Sequence, residues 1–560
     1  MKIFLAQQNY HIGNFEKNLD KIIEAINVAK KQNADLIVFS EMSICGYPAK
    51  DFLDFKDFID KCFESIEKIK HHADTIGVIV GSPDRNPVLE GKDLFNAAFF
   101  LYEKEIKNIA HKTCLPNYDV FDEYRYFEPS YNWNTFEFKG KRIALTICED
   151  IWNLGNNPLY RICPMDILMK QHPDLMINIS ASPFDYTHAE DRKATVKSNV
   201  VKYKIPLIYC NAIGSQTEVV FDGVSLCFDK NANLCHELSQ FSEELKEVIL
   251  NDDGTFNSSV IKPSNSLSDD ISEPLQFNPA LNISQVYEGI ILGIKDYFNK
   301  MGFKKAIIGS SGGIDSAVTI ALACLALGKE NVRAILMPSE FSSSHSISDA
   351  EQLSKNLENP YDIIPIKNIY EGFLNELTPF FKGLPFGVAE ENIQSRTRGN
   401  LLMSIANKFG YILLNTSNKS ELATGYGTLY GDMAGGIGVL GDCYKLQVYE
   451  LAKYINRHEE IIPENIINKA PSAELRPGQK DIDSLPPYNI LDQILYQYIE
   501  RVQGPQEIKR LGFDSRLVDR ILKLVNRNEY KRNQFCPIIR ISPKAFGTGR
   551  RMPIVGNYLD

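Results

Sequence analysis

Short apolar runs alternate with amphipathic stretches over the first 250 residues. The runs KIFLAQQ, ADLIVFSE, TIGVIVGS, RIALTICED, DLMINIS and IPLIYCNA are typical of strands. Residues 18–32 place apolar side chains at positions 19, 22, 23, 26, 28 and 29, with lysines on the outer face, which predicts a helix. Strands and helices in this rhythm predict an α/β layered domain over residues 1–250.

The pattern changes twice after that domain. Residues 251–280 are rich in Ser, Asn, Asp and Pro without an apolar period, which predicts a linker. A second domain over residues 281–560 follows. It begins with a predicted helix at 286–300, the strand KKAIIGS, a Gly-Ser turn, the apolar helix 317–327 and the strand VRAILMP. This βαβ order predicts the start of a doubly wound parallel sheet.

Composition narrows the class of protein. The chain has 560 residues, 44% hydrophobic and 24% charged, as soluble globular proteins do. A net charge of −10 argues against a nucleic-acid partner. The longest apolar run, 317–327, is too short to span a bilayer, so we expect no membrane association. Eleven cysteines without a CxxC pair predict neither a disulfide framework nor a zinc site, so we expect a cytoplasmic protein.

Three residues of the first domain form a candidate catalytic set. Glu41 follows ADLIVFS, Lys112 lies in HKTCLPNYDVFDEYRYF, and Cys148 ends RIALTIC. A thiol nucleophile needs a group that handles protons, which a carboxylate supplies. A lysine stabilises the oxyanion that forms when a thiol attacks a carbonyl. Each residue alone has an ordinary structural explanation, so the prediction rests on the three together.

The segments SEMSICGYP, HKTCLPNYDVFDEYRYF and LTICEDIW resemble the nitrilase superfamily in order and spacing. The resemblance implies an αββα sandwich that hydrolyses carbon–nitrogen bonds through a thioester. It makes Glu41 the base, Lys112 the catalytic lysine and Cys148 the nucleophile. Glu123 matches a further glutamate that often supports this site.

Two more segments, NISASPF and CNAIGSQTEVVFDGVSLCFD, resemble the glutamine-hydrolysing branch of that superfamily. By this resemblance, Tyr118 and Ser182 contact the glutamine substrate. His188 stands where the family often has a lysine. A neutral histidine holds a substrate carboxylate less firmly than a permanent cation does.

The second domain carries a candidate phosphate loop, GSSGGIDS. It follows a strand and opens the apolar helix, so its small residues let the backbone and the first helical amides approach an anion. It lacks the lysine of a Walker A loop and contains an aspartate that is suited to a divalent cation. Its residues are Gly309, Ser310, Ser311, Gly312, Gly313, Ile314, Asp315 and Ser316.

SSGGIDS resembles the pyrophosphate-binding loop of ATP pyrophosphatases, whose domain is a Rossmann-like doubly wound sheet. The downstream segments MPSEFSSSHSISDA, ENIQSRTRGNLLM, LNTSNKSELATGYGTLYGDMAGG, PSAELRPGQKDIDSLPPY and NEYKRNQF resemble NAD synthetases. That resemblance implies that the phosphate loop and Thr416 bind ATP. It implies that Asn392, Glu421 and Lys531 contact deamido-NAD, and that Asp315 and Glu421 bind Mg²⁺.

Arg396 and Arg398 are further candidate phosphate partners, because guanidinium groups fork onto phosphate oxygens. The alternative explanation is that both arginines lie on a solvated face of a helix and bind no phosphate.

Together the two halves resemble the glutamine-dependent NAD(+) synthetase family. This implies an enzyme that uses L-glutamine, ATP and deamido-NAD and gives NAD, AMP, diphosphate and L-glutamate. It also implies a homo-oligomer, and we expect ammonia to pass directly between the sites. Two alternatives stay open: a nitrilase-type glutaminase that feeds another ATP pyrophosphatase, and a non-catalytic scaffold.

Overall fold

The computed structural model describes residues 1–155, 158–257, 276–479, 481–483 and 485–558. The chain divides into two compact units, Met1–Ile271 and Ser272–Asp560. Residues 251–257 form a turn that packs on the first unit. The backbone amide of Asn257 donates to the carbonyl of Ile249 (2.9 Å). Phe277 is buried in the second unit against Tyr444. The central part of the predicted linker, residues 258–275, lies outside the described residues.

The first unit contains two layers of sheet. Its strands are β1 (Lys2–Gln7), β2 (Leu36–Phe39), β3 (Gly77–Arg85), β4 (Leu94–Tyr102), β5 (Glu105–His111), β6 (Phe136–Phe138), β7 (Lys141–Ile147), β8 (Leu175–Ser180), β9 (Leu207–Asn211), β10 (Ile213–Gln216), β11 (Val219–Asp222), β12 (Leu226–Phe228), β13 (Leu234–Glu237) and β14 (Glu244–Ile249). Its α-helices are α1 (Phe15–Lys31), α2 (Lys56–His72), α3 (Pro164–Leu168) and α4 (His188–Tyr203).

One six-stranded sheet has the order β14-β1-β2-β3-β4-β5 and a second has the order β13-β12-β9-β8-β7-β6, while β10 and β11 form a two-stranded sheet. Alternate side chains of both sheets meet in a shared core, which includes Leu5, Val38, Ile79, Leu145 and Ile177. The opposite faces of the sheets pack under α1 and α2 on one side and under α3 and α4 on the other. This layering is the predicted αββα sandwich. Candidate catalytic residues follow the carboxyl ends of β2 and β7.

The second unit is built on one parallel sheet. Its strands are β15 (Ala306–Gly309), β16 (Val332–Leu336), β17 (Tyr361–Ile363), β18 (Ile412–Asn415) and β19 (Ile437–Gly438). Its α-helices are α5 (Ile283–Met301), α6 (Ile314–Leu327), α7 (Ser344–Leu357), α8 (Lys367–Phe381), α9 (Val388–Phe409), α10 (Lys419–Thr424), α11 (Lys445–Ile455), α12 (Glu464–Asn468), α13 (Tyr488–Ile499), α14 (Pro505–Arg510), α15 (Ser515–Arg527) and α16 (Glu529–Arg532).

The strand order β17-β16-β15-β18-β19, with every neighbouring pair parallel, confirms the predicted doubly wound sheet. The chain steps outward from β15 to β17 and then returns to the other side of β15. Loops that leave the carboxyl ends of β15 and β18 therefore diverge at the point where such folds bind ligands.

Helix boundaries differ from the sequence expectation by a few residues. The helix predicted over 18–32 begins at Phe15, because the Asn14 side chain accepts from the Lys17 amide (3.3 Å) and caps it. The helix predicted over 286–300 spans Ile283–Met301 and ends at Gly302 in a left-handed conformation. Among the described helices, none combines the length and apolarity needed to cross a bilayer.

Candidate functional site

Cys148 lies at a sharp turn directly after β7. Its φ is +42°, in the left-handed region, and a short 3-10 turn, Cys148–Ile151, begins with it. A non-glycine residue in that conformation is strained by about 1–2 kcal/mol, so surrounding contacts must hold it there. Cys148 is only 3% exposed. The turn therefore presents a single buried thiol between the two sheets.

Lys112 lies between two buried carboxylates. Its Nζ is 2.8 Å from Glu41 Oε1 and 2.8 Å from Glu123 Oε1, and all three side chains are nearly inaccessible to solvent. Burial opposes the charge of Lys112, but Glu123 and Glu41 outweigh it and raise its pKa well above the ordinary value. Burial likewise raises the pKa of Glu123 to about 7, against the stabilising effect of Lys112. Lys112 is therefore a fixed cation.

Two further residues, not identified from the sequence, hold these carboxylates. Asn96 in β4 donates from Nδ2 to Glu41 Oε1 (2.7 Å), and Tyr47 donates from its hydroxyl to Glu123 Oε1 (2.8 Å). Only glycine at position 81 allows the backbone to pass this close to Met42, because a Cβ on Gly81 would lie 2.4 Å from the Met42 backbone nitrogen. The polar Asn96 within the apolar run LFNAAFFLY was the available sequence signal for its role.

The electrostatic surroundings of Cys148 are those of a protonated thiol. Burial, and after it the Glu41 carboxylate, raise the pKa of Cys148 well above its ordinary value, while Lys112 acts to lower it. Because Glu41 and Lys112 both act on the charge of the Cys148 thiol, the three residues belong to one site. A proton acceptor is therefore needed at the moment of attack, and Glu41 is the carboxylate that most affects the thiol.

Two polar pairs lie on segments next to this turn. Tyr118 donates its hydroxyl to Glu149 Oε1 (2.9 Å), and burial raises the pKa of Glu149. Ser182 Oγ lies 3.0 Å from His188 Nε2, and the His188 ring stacks on Trp152 with an interplanar angle of 8°. The structure thus brings the predicted Ser182 and His188 together and gives Tyr118 an acidic partner. Glu149 was not assigned from the sequence, although it follows the nucleophile directly.

The second candidate site is a cavity of about 290 Å³ at the carboxyl ends of β15 and β18. Predicted residues that line it are Gly309, Ser310, Ser311, Gly313, Ile314, Asp315, Ser316, Thr416 and Glu421. Gly312 is not among the lining residues. It has φ +75°, and a Cβ there would lie 2.2 Å from the Ser346 carbonyl oxygen, so the loop packs against α7 only with glycine.

The predicted metal ligands face each other across a lysine. Lys445 Nζ forms a short ion pair with Asp315 Oδ2 and lies 3.6 Å from Glu421 Oε1. Asn418 donates from Nδ2 to Asp315 Oδ1 (2.8 Å). Burial, and then the Asp315 charge, raise the pKa of Glu421 to about 8. The sequence analysis missed Lys445, because it lies in GDCYK, outside the segments that carried the predicted ligands.

Two buried clusters support this end of the cavity from behind. Lys419 donates to Glu500 Oε1 (2.6 Å) and Ser542 Oγ (2.7 Å). Asp492 in α13 accepts from Ser420 Oγ (2.6 Å) and from the amide of Leu446 (2.9 Å). Since these partners begin α10 and α11, the two clusters fix the helices that present Glu421 and Lys445.

The remaining predicted contacts divide between two places. Arg398 lines the cavity and donates from Nε to the Met337 carbonyl (3.0 Å), whereas Arg396 is exposed and donates to the Leu429 carbonyl (3.2 Å). Asn392 and Lys531 lie outside the described cavity lining and meet at the turn 425–428. Lys531 donates to the Gly425 carbonyl (2.8 Å), and Asn392 accepts from the Thr428 hydroxyl (2.8 Å). Their substrate contact remains a prediction.

Within the described residues, no cluster of three or more His, Cys, Asp or Glu side chains has metal-binding geometry. The candidate oxygen donors are the carboxylates of Asp315 and Glu421, next to the phosphate loop. Mg²⁺ is commonly held by one or two carboxylates together with substrate phosphates. This donor set therefore fits Mg²⁺ better than a metal that prefers nitrogen or sulfur ligands.

Comparison with known proteins agrees with this two-site arrangement. The carbon-nitrogen hydrolase family matches residues 2–252, and the NAD synthase family matches residues 286–535. The glutamine-dependent NAD(+) synthetase of Synechocystis sp. is 42% identical, covering 99% of this chain and 98% of the relative. That of Thermotoga maritima is 40% identical, covering 100% and 99%.

Solved structures give the same result. The glutamine-dependent NAD(+) synthetase of Acinetobacter baumannii, solved with ADP, has a TM-score of 0.77 and 36% identity, covering 99% of this chain and 98% of that one. The corresponding protein of Cytophaga hutchinsonii has a TM-score of 0.80 at 19% identity, covering 99% and 98%, and supports the fold alone. With both domains matched and relatives similar along their whole length, the chain belongs to the glutamine-dependent NAD(+) synthetase family.

Proposed function

We propose that this chain converts deamido-NAD to NAD(+), using ATP and ammonia released from L-glutamine, and gives AMP, diphosphate and L-glutamate. The observation that carries this proposal is the presence of two different sites on one chain. One is a buried thiol with a carboxylate and a fixed ammonium. The other is a phosphate-loop cavity with two carboxylates and a lysine.

In the first site, Cys148 attacks the side-chain amide of glutamine while Glu41 accepts the thiol proton. Lys112 stabilises the tetrahedral oxyanion, since it stays protonated between Glu41 and Glu123. Glu41 then delivers the proton to the departing ammonia, and water hydrolyses the thioester to glutamate. The raised pKa of Cys148 is consistent with attack by a thiol that loses its proton only when substrate is present.

The α-ammonium and α-carboxylate groups of glutamine need different partners. Glu149, next to the nucleophile and bonded to Tyr118, is suited to the α-ammonium group. Ser182 and His188, which lie 3.0 Å apart, are suited to the α-carboxylate. This assignment gives Ser182 and His188 the substrate contacts that the family resemblance implies, and Tyr118 acts next to the α-ammonium group through its bond to Glu149.

In the second site, the nicotinate carboxylate of deamido-NAD attacks the α-phosphate of ATP, and diphosphate leaves. Ammonia then attacks the adenylate to give NAD and AMP. The residues from Gly309 to Ser316 hold the phosphates and Thr416 contacts ATP, while Asn392, Glu421 and Lys531 hold the dinucleotide. Lys445 lies between Asp315 and Glu421 and is positioned to supply a further positive charge near phosphate.

Asp315 and Glu421 would hold Mg²⁺. When bound there, Mg²⁺ supplies charge neutralisation on the phosphates. Binding of the ion requires Glu421 to be ionised, and its pKa of about 8 arises from burial and from the Asp315 charge, both of which a divalent cation would offset.

The protein also has features of a cytoplasmic homo-oligomer. Its cysteines are free thiols, and Cys148 must remain one for catalysis.

The oligomer is proposed from α8. An exposed apolar stripe on that helix consists of Ile369, Phe373 and Phe380, with exposed fractions of 40%, 47% and 76%. An exposed apolar stripe of this kind suits the interface with a second copy. Light scattering of the wild-type chain and of Phe380→Glu tests it: a smaller oligomer is expected for the variant.

The activity is tested by supplying deamido-NAD, ATP, Mg²⁺ and glutamine and measuring NAD. We expect NAD, AMP and glutamate in equal amounts. Glutamate and ammonia without NAD, together with amidation of another acceptor that ATP activates, would favour the alternative of a glutaminase feeding a different synthetase. Formation of neither NAD nor glutamate would indicate a non-catalytic scaffold.

A further inference from the structure

Asp150 lies two residues after the nucleophile and has no part in the chemistry described so far. Its side chain is 2% exposed, and both carboxylate oxygens accept backbone hydrogen bonds. Oδ2 accepts from the amide of Ile147 (3.2 Å), at the end of β7. Oδ1 accepts from the amides of Thr113 (3.0 Å) and Cys114 (2.9 Å).

These bonds join two segments that are far apart in the sequence. Ile147 immediately precedes Cys148, and Thr113 immediately follows Lys112. One carboxylate therefore contacts the backbone next to the nucleophile and the backbone next to the catalytic cation. The two segments leave different sheets, since β5 belongs to one sheet and β7 to the other.

The turn at Cys148 needs such support. A residue with φ of +42° returns to a more favourable conformation unless neighbouring groups restrain it. The bond to the Ile147 amide restrains the entry of the turn. Asn178 adds a weaker contact, donating from Nδ2 to the Cys148 carbonyl (3.4 Å).

We propose that Asp150 is a positioning residue for glutamine hydrolysis: its carboxylate fixes the separation of the Cys148 thiol and the Lys112 ammonium. The proposal rests on the function proposed for these two residues. The oxyanion forms on the carbonyl that the thiol attacks, so the ammonium must lie at a set distance from the sulfur. A displacement of a fraction of an ångström weakens stabilisation of that charge without removing any reacting group.

A simple helix-capping role explains only one of the three observed bonds. An acidic residue at the third position of a turn often accepts from the amide that precedes the turn, as Oδ2 does here. The two bonds of Oδ1 go to another segment and contribute nothing to the cap. Burial raises the pKa of Asp150 to about 6, and the amides of Cys114, Ile147 and Thr113 act against that rise. The three donors therefore stabilise an ionised carboxylate, not a carboxylic acid.

Asp150→Asn in the full chain tests the proposal. Asparagine keeps the shape but turns one acceptor into an NH₂ group, which opposes an amide donor on one of the two segments. We expect kcat for glutamine hydrolysis to fall roughly tenfold or more, with KM changed less than about twofold. Cys148 is counted by its glutamine-protectable alkylation with iodoacetamide, so that kcat is expressed per reactive thiol.

This count separates positioning from folding. If Asp150 positions the site, every chain retains a reactive thiol and each one turns over slowly. If Asp150 only stabilises the fold, fewer chains react and each turns over at the wild-type rate. The proposal would be overturned by fewer reactive chains with a wild-type rate per thiol, by an unchanged kcat, or by a change in KM alone.

Two further variants complete the test. Asp150→Glu keeps the charge and the acceptors but adds one methylene between the turn and the Lys112 segment, so kcat per thiol is again expected to fall. A wild-type value for it would contradict a fixed separation. Asp229→Asn is the matched control, because Asp229 is 4% exposed and accepts from the amides of Asn231 and Asn233 (both 2.9 Å) away from the site. Its kcat per thiol should equal that of the wild type.

Failure of this proposal is distinct from failure of the proposed function. If Cys148 were not the nucleophile, glutamine would not protect it from alkylation in the wild-type chain. If Asp150 were not a positioning residue, protection would persist and only the effect of the Asp150 variants would be missing.

Discussion

At the scale of single residues, the Cys148 site combines a thiol that holds its proton with a lysine that cannot lose its own. Burial and Glu41 raise the pKa of the thiol, while Glu41 and Glu123 raise that of Lys112. A preformed thiolate is therefore disfavoured in the free enzyme. The arrangement makes Glu41 essential in each turnover.

Cys148→Ala should abolish NAD synthesis from glutamine but preserve synthesis from a high concentration of ammonium. The physical reason is that the thiol acts only in releasing ammonia. We expect at least a roughly 10³-fold loss with glutamine, because removal of a covalent nucleophile leaves only binding and the oxyanion contacts. NAD formation is measured with each nitrogen source.

Cys163→Ala is the control for that experiment. Cys163 is a half-buried thiol of the same domain, 3.3 Å from the hydroxyl of Tyr203. It should retain synthesis from both nitrogen sources. Glutamine-supported synthesis by a well-folded Cys148→Ala variant would remove Cys148 from the role of nucleophile.

Asp315→Ala should lower NAD synthesis from both nitrogen sources by roughly 10²-fold, a typical effect of losing one group that stabilises transition-state charge. It removes a proposed ligand of Mg²⁺ and leaves Lys445 paired with Glu421 alone. Glutamine hydrolysis is the internal control, since Cys148 belongs to the other compact unit. A normal rate with ammonium, measured over a range of Mg²⁺ concentrations, would contradict the assignment.

At the scale of elements, the synthetase site depends on how α10 and α11 begin. The amide of Lys445 donates to Ser420 Oγ (2.9 Å), and Ser420 in turn donates to Asp492. Asp492 is fully buried, and burial raises its pKa to about 7. The carboxylate thereby ties both helix starts to α13.

Asp492→Asn should lower kcat for NAD synthesis from ammonium roughly tenfold, because loss of one buried acceptor costs about 1–3 kcal/mol and loosens the start of α11. The free energy of unfolding should be measured alongside. Asp296→Asn is the matched control: Asp296 is 6% exposed, pairs with Lys300 (3.2 Å) and lies on α5. Equal loss of kcat in both variants would show a general effect of burying an amide.

The sequence predicted the elements better than the contacts between them. Local patterns identified β7 and β15, and the family motifs pointed to Cys148 and Asp315, which follow those strands. The same patterns gave no sign that Lys445 faces Asp315, because 130 positions separate them along the chain. Asp150 was visible beside the nucleophile, but its bonds to residues 113 and 114 depend on how the two sheets pack.

At the scale of the whole molecule, one chain carries two reactions that share ammonia. At neutral pH most free ammonia is ammonium, which has no lone pair and cannot attack an adenylate. Release into bulk water would therefore protonate and dilute the nitrogen. We propose direct transfer between the sites, which would keep the nitrogen unprotonated and raise its effective concentration. Simple tethering, with diffusion through solvent, is the alternative.

Labelled glutamine, supplied with a moderate excess of unlabelled ammonium, distinguishes these two routes. Direct transfer predicts label in the amide of NAD well above its share of the bulk ammonia pool. The reason is that ammonia released from glutamine at Cys148 reaches the adenylate before it mixes with that pool. Cys148→Ala, given the same mixture, should place only unlabelled nitrogen in NAD and so gives the background. A wild-type label fraction equal to that of the pool would reject direct transfer, and it would leave both chemical steps in place.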